Sequence, residues 1–356
     1  MKSWTATSFG RPRQSLTLIQ SLPIPTLPPG AKHSRLLLIK VSHVSLNPAD
    51  LVLMSSLPPW LPFRRNPVPG QDFAGKVLAV GDAVPCSVKV GDRVAGATGL
   101  REAFWGQGAL AEYLLVDCGL VAKVPQREGW GAREAVGVMG IAGQTAAAMA
   151  LRVVGGGTND ETEGMMKGRR VLVNGASGGV GSVLVQICKG LGAEVYGVCS
   201  GVNEGLVRRL GADEVIDYRV HDPLEEYLAQ RFGEQQLDAI LDCAGSQALY
   251  AHSPRYLKPE GKFINIVGGW SQGIVPFVRN KLRPRLLGGT PRSYELFLLS
   301  ASGKIARRVA AWVEQGVIKE APIDSEFPME QVVEAYEKLA TGRAKGKILI
   351  KVADTE

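Results

Sequence analysis

The sequence predicts an α/β fold, a doubly wound parallel sheet joined to a second, β-rich domain. Three observations predict it. The 356-residue chain is long enough to bury two cores. Its pattern changes near residue 170 from short strands broken by Pro and Gly to strands alternating with helices. At that change a glycine-rich turn joins an apolar strand to an amphipathic helix.

Taken in order, Lys2–Thr7 and Leu16–Gln20 read as strands around a Gly-Arg-Pro turn. Leu36–Val44, Ala74–Val80, Arg93–Ala95 and Ala111–Val116 follow as short strands, the spacing of a compact β domain. Glu134 to Leu151 carries small and apolar residues at helical spacing and predicts one connecting helix. The polar, glycine-rich stretch from Gly155 to Gly168 predicts an exposed loop. Strands are then predicted at Arg170–Asn174, Glu194–Cys199, Glu214–Ile216, Leu237–Cys243 and Lys262–Val267. Helices at Gly179–Leu191, Glu204–Leu210 and Pro223–Phe232 fall between them. Such alternation implies right-handed βαβ units. The tail predicts helices at Ile305–Gln315 and Met329–Leu339 and a strand at Lys347–Val352.

Composition narrows the class. Hydrophobic residues at 45% and charged residues at 21% are ordinary for a globular enzyme and argue against disorder. No apolar run approaches the roughly 20 residues of a membrane helix. The formal charge of +7 is dispersed, except for Arg279, Lys281, Arg283, Arg285 and Arg292. That cluster reads either as a site for an anionic substrate or membrane surface, or as a solvated loop. No nucleic-acid partner is expected. The five cysteines are odd in number, lack CxxC spacing and fall mostly in apolar patterns, so buried reduced thiols and the cytoplasm are expected. Lys2, Arg11 and Arg13 alternate with hydroxyls and no acid precedes Asp50, which leaves a mitochondrial location as the alternative.

The strongest local signal is the run from Val171 to Gly181, where glycines at 175, 178 and 181 follow a strand and open a helix. Glycine lets backbone approach a pyrophosphate, and the free N–H groups and dipole of the helix start favour its charge. This context predicts a Rossmann dinucleotide site contacted by Ser177, Gly178, Gly179 and Val180. NAD enzymes place Asp or Glu about 20 residues further on, against the ribose 2′-hydroxyl. Here that place reads Val198-Cys199-Ser200-Gly201-Val202-Asn203, without a carboxylate. A 2′-phosphate meets no repulsion there, and Ser200, Asn203 and Tyr218 are the candidate partners. NADPH is therefore the expected cofactor. Glu204 stands against it, and Ser200 also reads as a helix N-cap.

Several further segments carry a resemblance: Leu46-Asn47-Pro48-Ala49-Asp50, Pro67 to Gly75, Val90 to Val94, Gly108 to Tyr113, Gly143 to Ala146, Leu210 to Asp213 and Gly342 to Lys347. Together with the glycine loop they resemble, in order and over nearly the whole chain, the zinc-free quinone-oxidoreductase branch of the medium-chain dehydrogenases/reductases. The reticulon-interacting and AST-like members are most similar. The resemblance implies a GroES-like catalytic domain from residues 1–140 and 296–356, around a Rossmann domain at 141–295. It also implies that Asn47 and Asp50 belong to a nicotinamide-side motif, with Thr145, Gly245, Ile266, Val267 and Lys347 as further cofactor contacts. Asn47 would hold a cofactor or substrate oxygen while Asp50 braces the loop; an Asn-Pro-x-Asp turn is the alternative for both.

Zinc alcohol dehydrogenases carry Cys where this chain shows Asn47, and Gly-His-Glu where it shows Gly70-Gln71-Asp72. With only four scattered histidines, no zinc site is expected. Lacking that Lewis acid, reduction of a quinone or an α,β-unsaturated carbonyl is the expected reaction, because hydride addition there yields a delocalised enolate. Mitochondrial enoyl reductases of the superfamily place a Tyr after the Asn-Pro motif, where this chain has Leu57-Pro58-Pro59-Trp60. Trp60, Phe63, Phe104 and Trp105 read either as a lining for a small apolar or conjugated carbonyl substrate or as core or interface. A trans-acting enoyl reductase of a polyketide-type pathway and a nucleotide-binding scaffold remain as alternatives. The resemblance admits a homodimer.

Overall fold

A computed structural model describes residues 1–27, 34–61, 64, 66–85, 87–155, 164–267, 280 and 289–353. The chain divides into two units, one of residues 1–144, 300–315 and 320–356, the other of residues 145–299 and 316–319.

In the first unit, β1 (Ser3–Ala6) and β2 (Leu16–Ile19) form an antiparallel pair around a short helix, α1 (Pro12–Ser15). The larger sheet contains β3 (Leu36–Ser45), β4 (Asp72–Val80), β5 (Arg93–Ala97), β6 (Tyr113–Asp117) and β7 (Val121–Lys123). It is completed by β14 (Ile323–Pro328) and β15 (Lys347–Lys351) from the tail. Its order is β14-β15-β3-β4-β5-β7, with β6 on β3. The long β3 alternates buried and half-buried residues along much of its length, as a strand with one face on a core does. Leu37, Ile39, Val41, Phe73, Val94, Tyr336 and Ile348 fill that core, joined by Trp4. Around it lie α2 (Pro48–Ser56), α3 (Leu100–Trp105), α4 (Ala132–Met139), α10 (Gly303–Glu314) and α11 (Val332–Ala340).

Glu134 to Leu151 is not the one helix that its periodicity predicts. It breaks at Gly140 into α4 and α5 (Ile141–Val154). The Asp72 carboxylate takes the space there: a Cβ on Gly140 would stand 2.2 Å from its Cγ, and the Ile141 N–H donates to its Oδ1 at 2.7 Å. Periodicity reports which face is buried, not whether a side chain enters the helix ladder.

The second unit is a six-stranded parallel sheet in the order β10-β9-β8-β11-β12-β13. Its strands are β8 (Arg170–Asn174), β9 (Glu194–Cys199), β10 (Glu214–Asp217), β11 (Leu237–Asp242), β12 (Leu257–Asn265) and β13 (Ser293–Leu296). Helices α6 (Gly179–Gly190), α7 (Glu204–Arg209), α8 (Leu224–Phe232) and α9 (Gln247–Ala251) lie between them. This is the doubly wound order, with its topological switch between β8 and β11. Residues 316–319 belong here because Lys319 donates its N–H to Gln186 on α6 at 2.8 Å, and Val317 packs on Gly190.

Of the basic cluster, only Arg292 lies within the described residues. Its guanidinium donates to the carbonyls of Leu257, Pro254 and Pro291, so it is a strut and not a solvated charge. Phe63, Cys86, Arg279, Lys281, Arg283 and Arg285 lie outside them. Cys118, Cys188 and Cys199 are buried, Cys243 is half-buried, and none of the four is bonded. Burial pushes the Cys188 thiol up to about 12 and Cys199 to about 11, away from thiolate chemistry. Among the described residues, no single helix is long and apolar enough to cross a membrane.

Candidate active site

The crevice at the carboxyl ends of β8 and β11 is built from their last residues. Asn174 Nδ2 donates to Asp242 Oδ1 at 2.8 Å, tying the two strands together across the switch point. The same carboxylate accepts the N–H groups of Ala244, Gly245 and Ser246 at 2.8–3.0 Å. These bonds fold the turn in which Gly245 takes a φ of +82°. Burial pushes the Asp242 carboxyl up, opposed by Asn174 and the three amides. Neither Asn174 nor Asp242 was among the residues singled out by sequence. A carboxylate closing an otherwise apolar strand was the signal for one of them.

The glycine loop sits beside it. Gly175 and Ala176 donate to the Val198 carbonyl at 3.1 and 2.9 Å. A Cβ on Gly181 would stand 2.2 Å from the Gly175 carbonyl oxygen, so this position tolerates only glycine. Gly178 differs. A Cβ there would meet only the Gly175 oxygen at 3.4 Å, so that side of the loop is open to an incoming group. Helix α6 starts at Gly179 behind Gly178 with no side-chain cap, leaving its first N–H groups, including that of Val180, for an anion. A pyrophosphate fits this cradle.

Where β9 ends, Ser200 is buried and stands at the N-cap position of a single 3-10 turn, Gly201–Asn203, but its side chain makes no capping hydrogen bond. Asn203 Nδ2 donates to Ser177 Oγ at 3.0 Å, joining this corner to the glycine loop, while its Oδ1 is buried without a partner. Glu204 accepts from Arg208 at 2.7 Å. Tyr218 donates its N–H to the Cys199 carbonyl at 3.2 Å, and its half-exposed ring lies 5.8 Å from the Arg219 guanidinium. At the end of β12, Ile266 donates to the Asp242 carbonyl at 3.2 Å and Val267 to Asn265 Oδ1 at 2.7 Å. Thr145 lies on α5 and is 5% exposed.

In the first unit, strand register gathers a buried polar cluster. Antiparallel pairing sets Ser45 of β3 opposite Asp72 of β4, and β15 pairs with β3 from its other side. Lys347 at the start of β15 is 4% exposed. Its ammonium donates to Asn47 Oδ1 at 2.6 Å, the Leu46 carbonyl at 2.9 Å and Asp72 Oδ2 at 3.3 Å. Asp72 Oδ2 also accepts from Ser45 Oγ at 2.6 Å. Asn47 begins α2, where Pro48 supplies the preset φ and Asp50 accepts the Asn47 N–H at 2.9 Å, the acidic half of a capping box. The Asn47 side chain does not cap the helix, being turned toward Lys347. Burial pushes the Asp50 carboxyl up to about 7, with Asp72 adding to it and the Asn47 amide, Lys347 and Tyr336 opposing. Trp60, Phe104 and Trp105 are 69%, 43% and 45% exposed, so none is core.

A glycine cradle at the switch point of a doubly wound sheet, in a chain with a second β-rich unit, defines an NAD(P)-binding dehydrogenase. Residues 33–126 match the family described as alcohol dehydrogenase GroES-like domain, and residues 210–350 that described as zinc-binding dehydrogenase. The chain is 37% identical to the medium chain reductase pydE of Acremonium sp, over 99% of each chain. It is 32% identical to the trans-enoyl reductase poxH of Penicillium oxalicum, over 99% of this chain and 98% of the relative. To the chloroplast envelope quinone oxidoreductase homolog of Arabidopsis thaliana it is 30% identical, over 97% and 96%. The solved quinone oxidoreductase of Coxiella burnetii has the same fold, with a TM-score of 0.76 at 24% identity over 99% of each chain. So does a mycobacterial protein solved with NADPH, with a TM-score of 0.76 at 24% identity over 99% and 100%. The chain belongs to the medium-chain dehydrogenase/reductase superfamily and is an oxidoreductase.

Among the described residues, the zinc in one family description finds no matching ligand set. Asn47 and Gln71 are neutral amides, poor zinc ligands. The Asp72 carboxylate is spent on Ser45, Ile141 and Lys347. Among the described residues, no group of three or more His, Cys, Asp or Glu stands close enough to hold a metal ion.

Proposed function

We propose that the protein is a zinc-independent, NADPH-dependent reductase of quinones or α,β-unsaturated carbonyls. The observation that carries the reading is the corner at the end of β9, where Ser200 and Asn203 replace the carboxylate of NAD enzymes and Glu204 is paired with Arg208. The exposed pair contributes only about 0.3–0.5 kcal/mol, but it sets a cation against Glu204; the second acid of this corner, Asp217 at the end of β10, accepts the Arg219 N–H at 2.9 Å. Arg219, over the Tyr218 ring, adds a second positive group to this corner.

Bound NADPH would be held by the cradle of Ser177, Gly178, Gly179 and Val180, by Ser200, Asn203 and Tyr218 at the 2′-phosphate, and by Thr145, Gly245, Ile266 and Val267 toward the nicotinamide. It supplies a hydride. Added to the β-carbon of an enone, or to a quinone, that hydride would leave the electron pair on oxygen. An N–H donor such as the Asn47 amide would stabilise that oxygen anion, and water would supply the proton.

Titration of NADPH and NADH into the wild type and Ser200→Asp tests the assignment. Wild type is expected to favour NADPH at least about tenfold, and the variant to lose that preference, because a carboxylate repels phosphate but accepts from a hydroxyl. Equal wild-type affinities would sink it. A second reading, a trans-acting enoyl reductase, is supported by the relatives of that name and by the same oxyanion chemistry. Turnover confined to enoyl thioesters would select it. Tight NADPH binding with no turnover of any substrate would leave only a nucleotide-binding scaffold.

A further inference from the structure

We infer that Lys347 is the positioning residue of the hydride-transfer site: it fixes the Asn47 amide in one orientation and polarises it into an oxyanion donor. The inference rests on the reductase reading above.

An asparagine amide presents an acceptor on one side and two donors on the other, and only its partners decide which way it faces. Here the choice is forced. An ammonium has no acceptor, so the Asn47 atom 2.6 Å from Lys347 Nζ must be the oxygen. The NH2 group therefore faces the opposite way. It makes one long contact, to the Ser45 carbonyl at 3.4 Å, and among the described residues its second N–H meets no acceptor. The ammonium is itself saturated, since its three protons go to Asn47, Leu46 and Asp72. It is buried and has no donor left for a phosphate or a carboxamide. Pulling electron density toward the Asn47 oxygen acidifies the N–H, and that effect is strong where water is absent. The arrangement holds a preorganised donor for an oxygen that becomes negative as the hydride arrives.

Three variants test this. Lys347→Met alone would strand the Asp72 carboxylate, so Asp72→Asn is combined with it, which removes both charges and leaves an acceptor for Ser45 or Ile141. Asn47→Ala deletes the donor, and Asn47→Asp keeps the Lys347 pair but presents a carboxylate to the developing anion. NADPH dissociation constants by cofactor fluorescence are expected to stay within about threefold in all three, because the pyrophosphate and ribose contacts are untouched. Turnover should fall by roughly 10²-fold, the scale of one oxyanion donor. Asn47→Asp should fall at least as far as Asn47→Ala. In Lys347→Met/Asp72→Asn the loss should grow with the basicity of the anion formed, larger for simple enones than for quinones. The Asn47 side-chain amide signal in 1H–15N spectra should move in the double variant. An equal loss for every substrate, or NADPH affinity weakened tenfold with turnover retained, would overturn the positioning role. An unmoved Asn47 signal would overturn the pairing itself. A wild type that binds NADPH yet reduces none of these substrates would instead sink the reductase reading, the amide signal still reporting on the pair.

Discussion

At the scale of single residues, the buried acids Asp72 and Asp50 have different partners. Asp72 receives the Ser45 hydroxyl, the Ile141 amide and the Lys347 ammonium. Asp50 receives the Asn47 amide, and its other oxygen is buried without a hydrogen-bond partner. Burial then raises its pKa from the ordinary 3.8 to about 7. Between those values the folded state holds a proton that the unfolded state has released. The stability linked to this group is full below the lower value and is lost as pH rises through the higher one. The slope approaches about 1.4 kcal/mol per pH unit at most. Asp50→Asn keeps an acceptor for the Asn47 N–H and removes the titration. Urea unfolding of both proteins between about pH 4 and 8 should show the wild type losing stability relative to the variant as pH rises. A difference independent of pH would place the Asp50 pKa elsewhere.

At the scale of elements, the glycine loop separates two uses of the same residue type. Gly181 has the Gly175 carbonyl oxygen 2.2 Å from where a Cβ would stand, whereas a Cβ on Gly178 would make only an ordinary contact with that oxygen at 3.4 Å, and its φ is an ordinary −81°. Gly181→Ala should therefore destabilise the fold itself, by roughly 1–3 kcal/mol of overpacking. Gly178→Val should leave the melting transition nearly unchanged and weaken NADPH binding by an order of magnitude or more, since only the approach of the pyrophosphate is blocked. Calorimetry with and without NADPH distinguishes them; a Gly178→Val protein that binds like wild type would remove the loop from the site. The break at Gly140 belongs to this scale too. The helical pattern from Glu134 to Leu151 is continuous, and what interrupts it is a carboxylate from a strand about 70 residues earlier.

At the scale of the whole molecule, the superfamily contains members described as zinc-binding, and the residues of this chain set it apart from them. Elemental analysis of purified protein should find no stoichiometric zinc, and chelators should leave NADPH binding and turnover unchanged. Activity lost to a chelator and restored by zinc would overturn the reading of Asn47 and Gln71 and, with it, the oxyanion role of the amide. Much of the fold was legible in advance because strand and helix periodicity, turn residues and the glycine spacing are local properties, carried by neighbours in sequence. The strands missed, β7, β13 and β14, are short or only partly buried, and their alternation is too weak to read. By itself, the sequence determined the doubly wound sheet, the glycine loop, the missing carboxylate after β9 and the family. Only the tertiary structure decided that Lys347 meets Asn47, that Asp242 is tied to Asn174, and that Asp72 breaks a helix. Those contacts depend on which strands pair and in what register, and a side chain's partner across a sheet leaves no mark on its neighbours along the chain.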